Sequence, residues 1–222
     1  STYAGGVNFN RQISAKLEMN AAYFFNNQIN LTDKVTDRTN FLGQGSGFKT
    51  LTNNSTESNN LNHRANIAFD YKIDSLNSVK ISANGTSTAN DNTTNVFSQN
   101  NNTDGKPRSD TRRDADTEGG GKSLNSSVLW RHRFMKRGRT LTAEGFYNYN
   151  DAVRTINTDA QNRFYDLDAA LTRSDSLLQR DARDNSRSVA GTRINLVEPL
   201  RKFHYLDFNY TYSQTLNNAE RA

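Results

Sequence analysis

The sequence predicts an all-β protein: an antiparallel transmembrane β-barrel that contributes about eight strands of a larger barrel. Apolar and polar residues alternate in short runs, as they do in strands that have one apolar face and one solvent-exposed polar face. The connections between these runs alternate between a few residues and the long polar stretches 27–60, 87–122 and 150–187. Transmembrane barrels combine short periplasmic turns with long extracellular loops in this way. We therefore expect the three long stretches to be extracellular loops.

The composition agrees with a membrane-exposed sheet better than with a soluble core. The chain has 222 residues, of which 33% are hydrophobic, and its mean hydropathy is −0.88. A soluble domain of this length would have unusually little apolar material for a core. Disordered chains usually lack aromatic residues, yet this sequence has 9 Tyr, 12 Phe and 1 Trp. A barrel with a lipid-facing outer surface and polar lumen and loops explains both properties.

The first four predicted strands each place apolar side chains at alternate positions. In the second strand, Phe24 interrupts an otherwise polar opposite face. The first strand has the weakest pattern of the four. The apolar positions are Tyr3, Val7 and Phe9; Leu17, Met19, Ala21, Tyr23 and Phe25; Ala65, Ile67, Phe69 and Tyr71; and Val79, Ile81 and Ala83.

The last four predicted strands continue the alternation, which is strongest near the end of the chain. His132 falls on the apolar side of the fifth strand, and the seventh strand is weak. Each strand is near the length that crosses a bilayer when tilted. The apolar positions are Val128, Trp130 and Phe134; Leu141, Ala143, Tyr147 and Tyr149; Ala190, Ile194 and Leu196; and Leu206, Phe208, Tyr210 and Tyr212.

Three short connections have the residues of tight turns. We expect turns at 74–77, at 136–139, where Gly138 can take a positive φ, and at 198–201, where Pro199 cannot donate to a strand ladder.

Charged residues on the polar side of the predicted strands are candidates for lining a lumen. In a transport barrel they would face the aqueous interior, while long loops would recognise a solute. Tyr71, Trp130 and Tyr149 lie near strand ends and would suit interfacial aromatic girdles. The candidate lumen residues are Glu18, Arg64, Asp70, Arg131, Arg133 and Glu144.

Alternation alone leaves a second interpretation open, because a soluble antiparallel sandwich also has one apolar and one polar face. In that case the chain would be a soluble or surface-displayed binding module, such as an adhesin. The long strands and the short-then-long order of connections favour the membrane, since strands in sandwiches usually have about five or six residues. The location of the apolar side chains, against lipid or against a second sheet, separates the two.

Other function classes find little support in the sequence. No window approaches the ~18 consecutive apolar residues of a transmembrane helix, and there is no Cys for disulfides, thiolate metal sites or a cysteine nucleophile. The three histidines have no second ligand at a spacing typical of metal sites. Nothing singles out a catalytic triad, so we expect no enzymatic activity and no cofactor.

Two loops and the net charge give only weak signals for ligand or nucleic-acid binding. The Asp-containing stretch 104–118 lacks the ligand spacing of a calcium loop, and the Gly-rich stretch 41–48 lacks the strand and helix of a phosphate cradle. The net charge is +5. Basic and acidic residues are interleaved without a basic stripe beside aromatic residues, which argues against nucleic-acid binding.

Several runs resemble the Asn- and Tyr-rich strands of outer-membrane β-barrel proteins of Bacteroidota and are similar to the barrel portion of TonB-dependent receptors. The runs are 66–71 with 79–84, 122–130, and above all 206–213. The resemblance implies a nutrient uptake transporter in the outer membrane of a Gram-negative cell. It also implies a plug domain, an energy-transducing partner and a surface lipoprotein as partners.

The order of turns predicts that residues 1–222 form one β-barrel segment. If the short turns are periplasmic, both chain ends lie on the extracellular side, whereas a complete barrel normally begins and ends in the periplasm. We therefore expect a single-domain fragment whose other partners are outer-membrane lipid and the remainder of a larger barrel.

Overall fold

A computed structural model describes residues 1–43, 46–201 and 203–222 of the chain, and the strands in these ranges form one antiparallel sheet. The strands follow each other in space in the order in which they occur in the chain. The predicted all-β antiparallel architecture is confirmed. The strands are β1 (Thr2–Ser14), β2 (Leu17–Gly43), β3 (Ser46–Lys72), β4 (Asn77–Asn102), β5 (Pro107–Arg133), β6 (Thr140–Tyr165), β7 (Leu171–Arg201) and β8 (His204–Arg221).

The central strands are much longer than the sequence pattern predicted. β2, β3 and β5 have 27 residues each and β7 has 31. At ~3.3 Å per residue, a strand of this length extends for about 90 Å. A tilted strand needs only ~9–11 residues to cross a bilayer. More than half of each long strand therefore extends beyond any membrane that the sheet crosses.

The stretches 27–60, 87–122 and 150–187, which the sequence predicts to be long loops, consist mainly of paired strands. These stretches are the outer halves of three long hairpins, with register pairs such as Asp33 with Ser55, Asn95 with Asp114 and Asp159 with Leu178. Their backbone groups pair across the strands, although neither face of the hairpin is apolar. Hydrophobic periodicity reports burial against lipid or a core, so it misses strands with water on both faces.

The short turns lie at the opposite end of the sheet, largely where the sequence predicted them. The Asp74 carboxylate accepts hydrogen bonds from the backbone N–H groups of Leu76 and Asn77, each at 2.7 Å. Gly138 has a φ of 86°, which other residues rarely adopt. The third predicted turn is wrong, because 198–201 belongs to β7 and Glu198 still pairs with Leu206.

The register gives the sheet two chemically different faces. Residues that pair across strands share a face, so alternate residues of each strand extend one face across the whole sheet. We call one side the apolar face and the other the polar face. A representative row of the apolar face runs Val7, Tyr23, Ala65, Gly85, Leu124, Tyr149, Ser188 and Leu216.

The apolar residues are concentrated in a band near the short turns. This apolar band extends from the row that contains Leu141, Leu196 and Phe208 to the row that contains Leu124 and Tyr149. Beyond it, both faces of the hairpins carry mainly polar side chains. The end of the sheet near the short turns therefore has one apolar and one polar face, whereas the end formed by the long hairpins is polar on both faces.

No second layer covers the apolar face in the part of the chain that the structure describes, because all strands belong to one sheet. Val128 is 49% exposed and Tyr210 is 62% exposed. β1 and β8 form the two edges, and every residue in both is exposed. Among the described residues, no helix has the length and apolar character required to cross a membrane.

Candidate functional site: the polar face of the sheet

All six charged residues predicted to line a lumen lie on the polar face. Glu18 pairs with Asp70, and this row continues through Lys80 and Leu129 to Glu144. Arg131 and Arg133 lie on the same face closer to the short turns, and Arg64 lies on the side towards the long hairpins. The period of two along each strand places them together, since each lies next to an apolar-face residue in its own strand.

Glu144 belongs to a cluster that the sequence did not reveal. Arg193 lies directly across from it and its Nη1 donates to Glu144 Oε2 at 3.1 Å. The same guanidinium lies 4.4 Å from the ring centroid of Phe146. That ring covers Gly191, where an added Cβ would come within 2.6 Å of the Phe146 Cζ. An aromatic residue opposite a strand glycine is a recognisable sequence signal, but it depends on knowing the register.

The charged residues nearest the short turns border a depression of about 410 Å³ on the polar side. Asp70, Lys72, Arg131 and Arg133 contribute to its lining, together with Asp74 from the turn. The hydrogen bonds from the Asn77 side chain and the Leu76 backbone lower the pKa of Asp74, so its carboxylate stays ionised. The depression combines both signs of charge and is suited to polar solutes.

A row of asparagines crosses the middle of the polar face. It lies on the side of the sheet opposite the apolar band. Several of its members border a second depression of about 310 Å³. Amide side chains carry both donors and acceptors, so such a row can hydrogen-bond peptide or sugar groups without a fixed charge. The members of the row are Asn8, Asn66, Asn84, Asn125 and Asn148.

The aromatic residues proposed as girdles lie on the apolar face, at both margins of the apolar band. Tyr71 and Trp130 share a row with Val79 near the short turns, and Tyr149 lies in the row nearest the hairpins. Along the strands the two rows are about 20 Å apart. After tilting by ~40°, this corresponds to about 15 Å along the membrane normal, which is shorter than the ~25 Å apolar band of a membrane barrel.

His63 and His132 take part in polar and aromatic contacts on the apolar face. The Tyr23 hydroxyl lies 2.7 Å from His63 Nδ1, and His132 Nδ1 lies 2.8 Å from Asn77 Oδ1. Within 1–43, 46–201 and 203–222, no group of three or more His, Cys, Asp or Glu side chains is arranged to hold a metal ion. In the Asp-containing stretch 104–118, Asp104 lies in a hairpin turn and the residues from Pro107 onward belong to β5. The Gly-rich stretch 41–48 ends β2 and begins β3, with Gln44 and Gly45 outside the described residues.

A buried carboxylate lies at the outer end of β5 and β6. Asp110, which is 5% exposed, accepts hydrogen bonds from Arg163 Nε at 2.8 Å and from the Tyr165 hydroxyl at 2.6 Å. The hydrogen bond to Asp110 raises the pKa of Tyr165. These contacts join two neighbouring strands near the hairpin tips, so the tips have fixed side-chain structure of their own.

Comparisons with known proteins identify no family for this chain. No family model and no curated protein matches it. Among solved structures, it is similar to the RagAB peptide importer in the open-open state, with 11% identity, a TM-score of 0.39 and coverage of 96% of this chain and 31% of that one. The closed-closed state of RagAB gives 12%, 0.40, 96% and 32%. The ferric-catecholate import receptor Fiu from E. coli gives 10%, 0.26, 96% and 46%.

The chain spans about a third of the length of the RagAB structures that it matches. The identities and TM-scores are too low to assign a family or a function. The assignment of the fold depends on the strands and their pairing.

Proposed function

We propose that this chain forms part of the wall of an outer-membrane β-barrel of TonB-dependent receptor type, which takes up a nutrient across the outer membrane of a Gram-negative cell. The observation that supports this proposal best is the uncovered apolar face. It carries Phe69, Val128 and Tyr210 on one side of a sheet whose other side is polar. Hydrocarbon chains on one side and water on the other would satisfy both faces.

The dimensions of the apolar band support a membrane position. In β8, the band runs from Phe208 to Leu216, with Gln214 as an interruption. Tilted strands cross a bilayer with about 9–11 residues. The long hairpins would then extend from the cell surface, and the short turns would lie in the periplasm.

The two edges of the sheet support a larger assembly. β1 and β8 each have one side without a strand partner among the described residues. Unpaired backbone N–H and C=O groups cost several kcal/mol each in hydrocarbon, so a sheet in a membrane must close. We propose that further strands pair with β1 and β8, and that the resulting barrel works with a plug domain and a surface lipoprotein.

The polar face would then line the lumen. Glu18, Arg64, Asp70, Arg131, Arg133 and Glu144 would contact solutes that pass along the wall. Because Arg193 pairs with Glu144, this carboxylate would contribute little net charge to the lumen. The asparagine row would add uncharged donors and acceptors at the same depth.

The single tryptophan of the chain allows a direct test of the apolar face. Trp130 lies on this face, and Leu129 beside it lies on the polar face. In vesicles whose acyl chains are brominated, we expect strong quenching of Trp130 fluorescence. In the matched double variant Leu129→Trp/Trp130→Phe, the indole faces the other way and quenching should fall severalfold. Equal quenching in the two proteins would contradict the proposal.

The soluble-module alternative predicts a different outcome in the same experiment. The purified protein would be folded and monodisperse without detergent, and neither tryptophan position would be quenched. A barrel instead requires detergent, and its migration on a detergent gel changes on heating. Uptake is tested separately by comparing accumulation of candidate nutrients in cells with and without the protein, and with the energy-transducing partner removed. Unchanged accumulation would contradict the transport role but not the position of the sheet in a membrane.

A further inference from the structure

Charges in the long hairpins are sorted by face. On the side that continues the apolar face, acidic residues predominate, including Asp33, Asp91, Asp114, Asp116, Glu118 and Asp159. On the polar face, cationic residues predominate, including Lys34, Arg38, Arg113, Arg154, Arg183 and Arg187. In the sequence these charges are interleaved, because neighbouring residues of a strand point to opposite faces. Only the pairing reveals that the polar face of the hairpins is basic.

The basic character is most concentrated on β6, β7 and β8. Arg154 pairs with Arg183, and Arg183 pairs with Arg221, so three guanidinium groups extend from adjacent positions in one row. Adjacent strands are about 4.8 Å apart. Like charges at directly opposed positions destabilise a sheet. We call these three residues the arginine row.

The protein neutralises the arginine row only in part. Asp181 accepts hydrogen bonds from Arg183 Nη2 at 2.9 Å and from Arg221 Nη2 at 3.4 Å. Among the described residues, Arg154 has no ion-pair partner, and Arg187 farther along the same face has none either. One carboxylate thus serves two guanidinium groups, and Arg154 remains available. All three members of the row are exposed to solvent.

We propose that the arginine row is a binding site for an oxoanion group, that is, a carboxylate, phosphate or sulfate group carried by the solute that the barrel takes up. This inference rests on the proposed function, because it assigns a chemical class to the transported solute. Guanidinium groups bind such groups through paired N–H donors. The surrounding basic face would concentrate anionic solutes at the mouth of the barrel, while the acidic opposite side would not attract them.

The proposal is tested by measuring the binding of a model polyanion to the detergent-solubilised protein. The protein is purified together with the strands that close its sheet. We would titrate inositol hexakisphosphate by calorimetry at low ionic strength, with myo-inositol as the uncharged control. The wild-type protein should bind the former and not the latter, and added salt should weaken binding. Absence of binding in the wild-type protein would overturn the proposal.

Charge-matched variants locate the site. Arg154→Gln/Arg183→Gln/Arg221→Gln should weaken binding by about tenfold or more, which corresponds to ~1.4 kcal/mol. The control Arg112→Gln/Lys122→Gln/Arg180→Gln removes the same charge from the other side of the sheet and should bind almost as well as wild type. Equal losses in both variants would show that binding follows net charge alone, and would overturn the site.

Two single variants keep the test valid if the triple variant folds poorly. Arg154→Gln removes a group that has no ion-pair partner among the described residues and a like charge opposite Arg183. It should therefore weaken binding severalfold without destabilising the protein. Asp181→Asn frees two guanidinium groups and should strengthen binding. Failure of both effects would overturn the proposal. The quenching of Trp130 fluorescence is measured on the same samples. A protein whose tryptophan is quenched but which does not bind the anion would contradict this inference and would still support the proposed membrane position of the sheet.

Discussion

An arginine introduced into the middle of the apolar band should destabilise the protein strongly. Val128 lies on the apolar face between Ile81 and Gly145. It is about four residues from either margin of the band, or ~13 Å along the strand and ~10 Å in depth after tilting. A guanidinium at that depth reaches the interface poorly. For Val128→Arg we expect a cost of about 2–4 kcal/mol, since arginine costs this much near the midplane of a membrane barrel.

Two matched variants separate membrane depth from other effects of arginine. Ser127→Arg, one residue earlier and on the polar face, should change the free energy of unfolding by less than ~1 kcal/mol. Leu124→Arg, on the apolar face at the band margin, should cost about 0–1 kcal/mol because the side chain reaches the interface. The assay is reversible denaturant unfolding in lipid vesicles. The folded fraction is measured from the change in migration on a detergent gel that heating causes.

The order of the three costs decides the question. A large effect at 128, a small one at 124 and almost none at 127 would support a lipid-facing band. If Ser127→Arg proved as costly as Val128→Arg, both faces would be buried against protein. The assignment of the apolar face to lipid would then be refuted.

Three further predictions concern packing, pH and the hairpin tips. Gly191→Ala should destabilise by about 1–3 kcal/mol in denaturant unfolding, because its Cβ would overlap the Tyr212 carbonyl oxygen. The control Gly145→Ala, with no atom within 4 Å of the added Cβ, should be nearly neutral. Bonds from two neighbouring cations lower the pKa of Glu198 to about 2 from 4.5. The stabilisation that ionised Glu198 provides is therefore complete above about pH 4.5 and is lost as the pH falls towards 2. In Glu198→Gln, this part of the pH dependence of the free energy of unfolding should be absent. Asp110→Asn should increase hydrogen exchange at the outer ends of β5 and β6, whereas unchanged exchange would show that the buried carboxylate does not hold them together.

The sequence predicted correctly which strand positions are apolar, and it assigned every candidate lumen residue to the opposite, polar face. Glu18 and Asp70 were assigned to the polar face from alternation within their own strands, and they pair across the sheet. This success has a local cause, since backbone geometry alone makes successive side chains point to opposite faces. Whether that face lines a lumen stays a prediction.

The long hairpins could not be predicted from the same signal. Residues such as Thr52 and Ser98 lie in a regular ladder, with hydroxyl oxygens 2.9 Å apart, but their neighbours on both faces are polar. No apolar period marks such a strand. The turn predicted at 198–201 failed for another reason. Pro199 was placed outside the ladder, whereas it pairs with Tyr205 near the strand end, where proline is tolerated.

The amino-acid sequence by itself determined which side of each short strand is greasy and where most tight turns fall, because these properties depend on a few consecutive residues. Only the tertiary structure decided that the polar stretches continue as paired strands, that Arg193 meets Glu144, and that Arg154, Arg183 and Arg221 share one row. Such neighbours are set by register. Register is set by the turn that joins two strands and by the burial of one face along their whole length, and a shift of one residue would move every side chain to the other face.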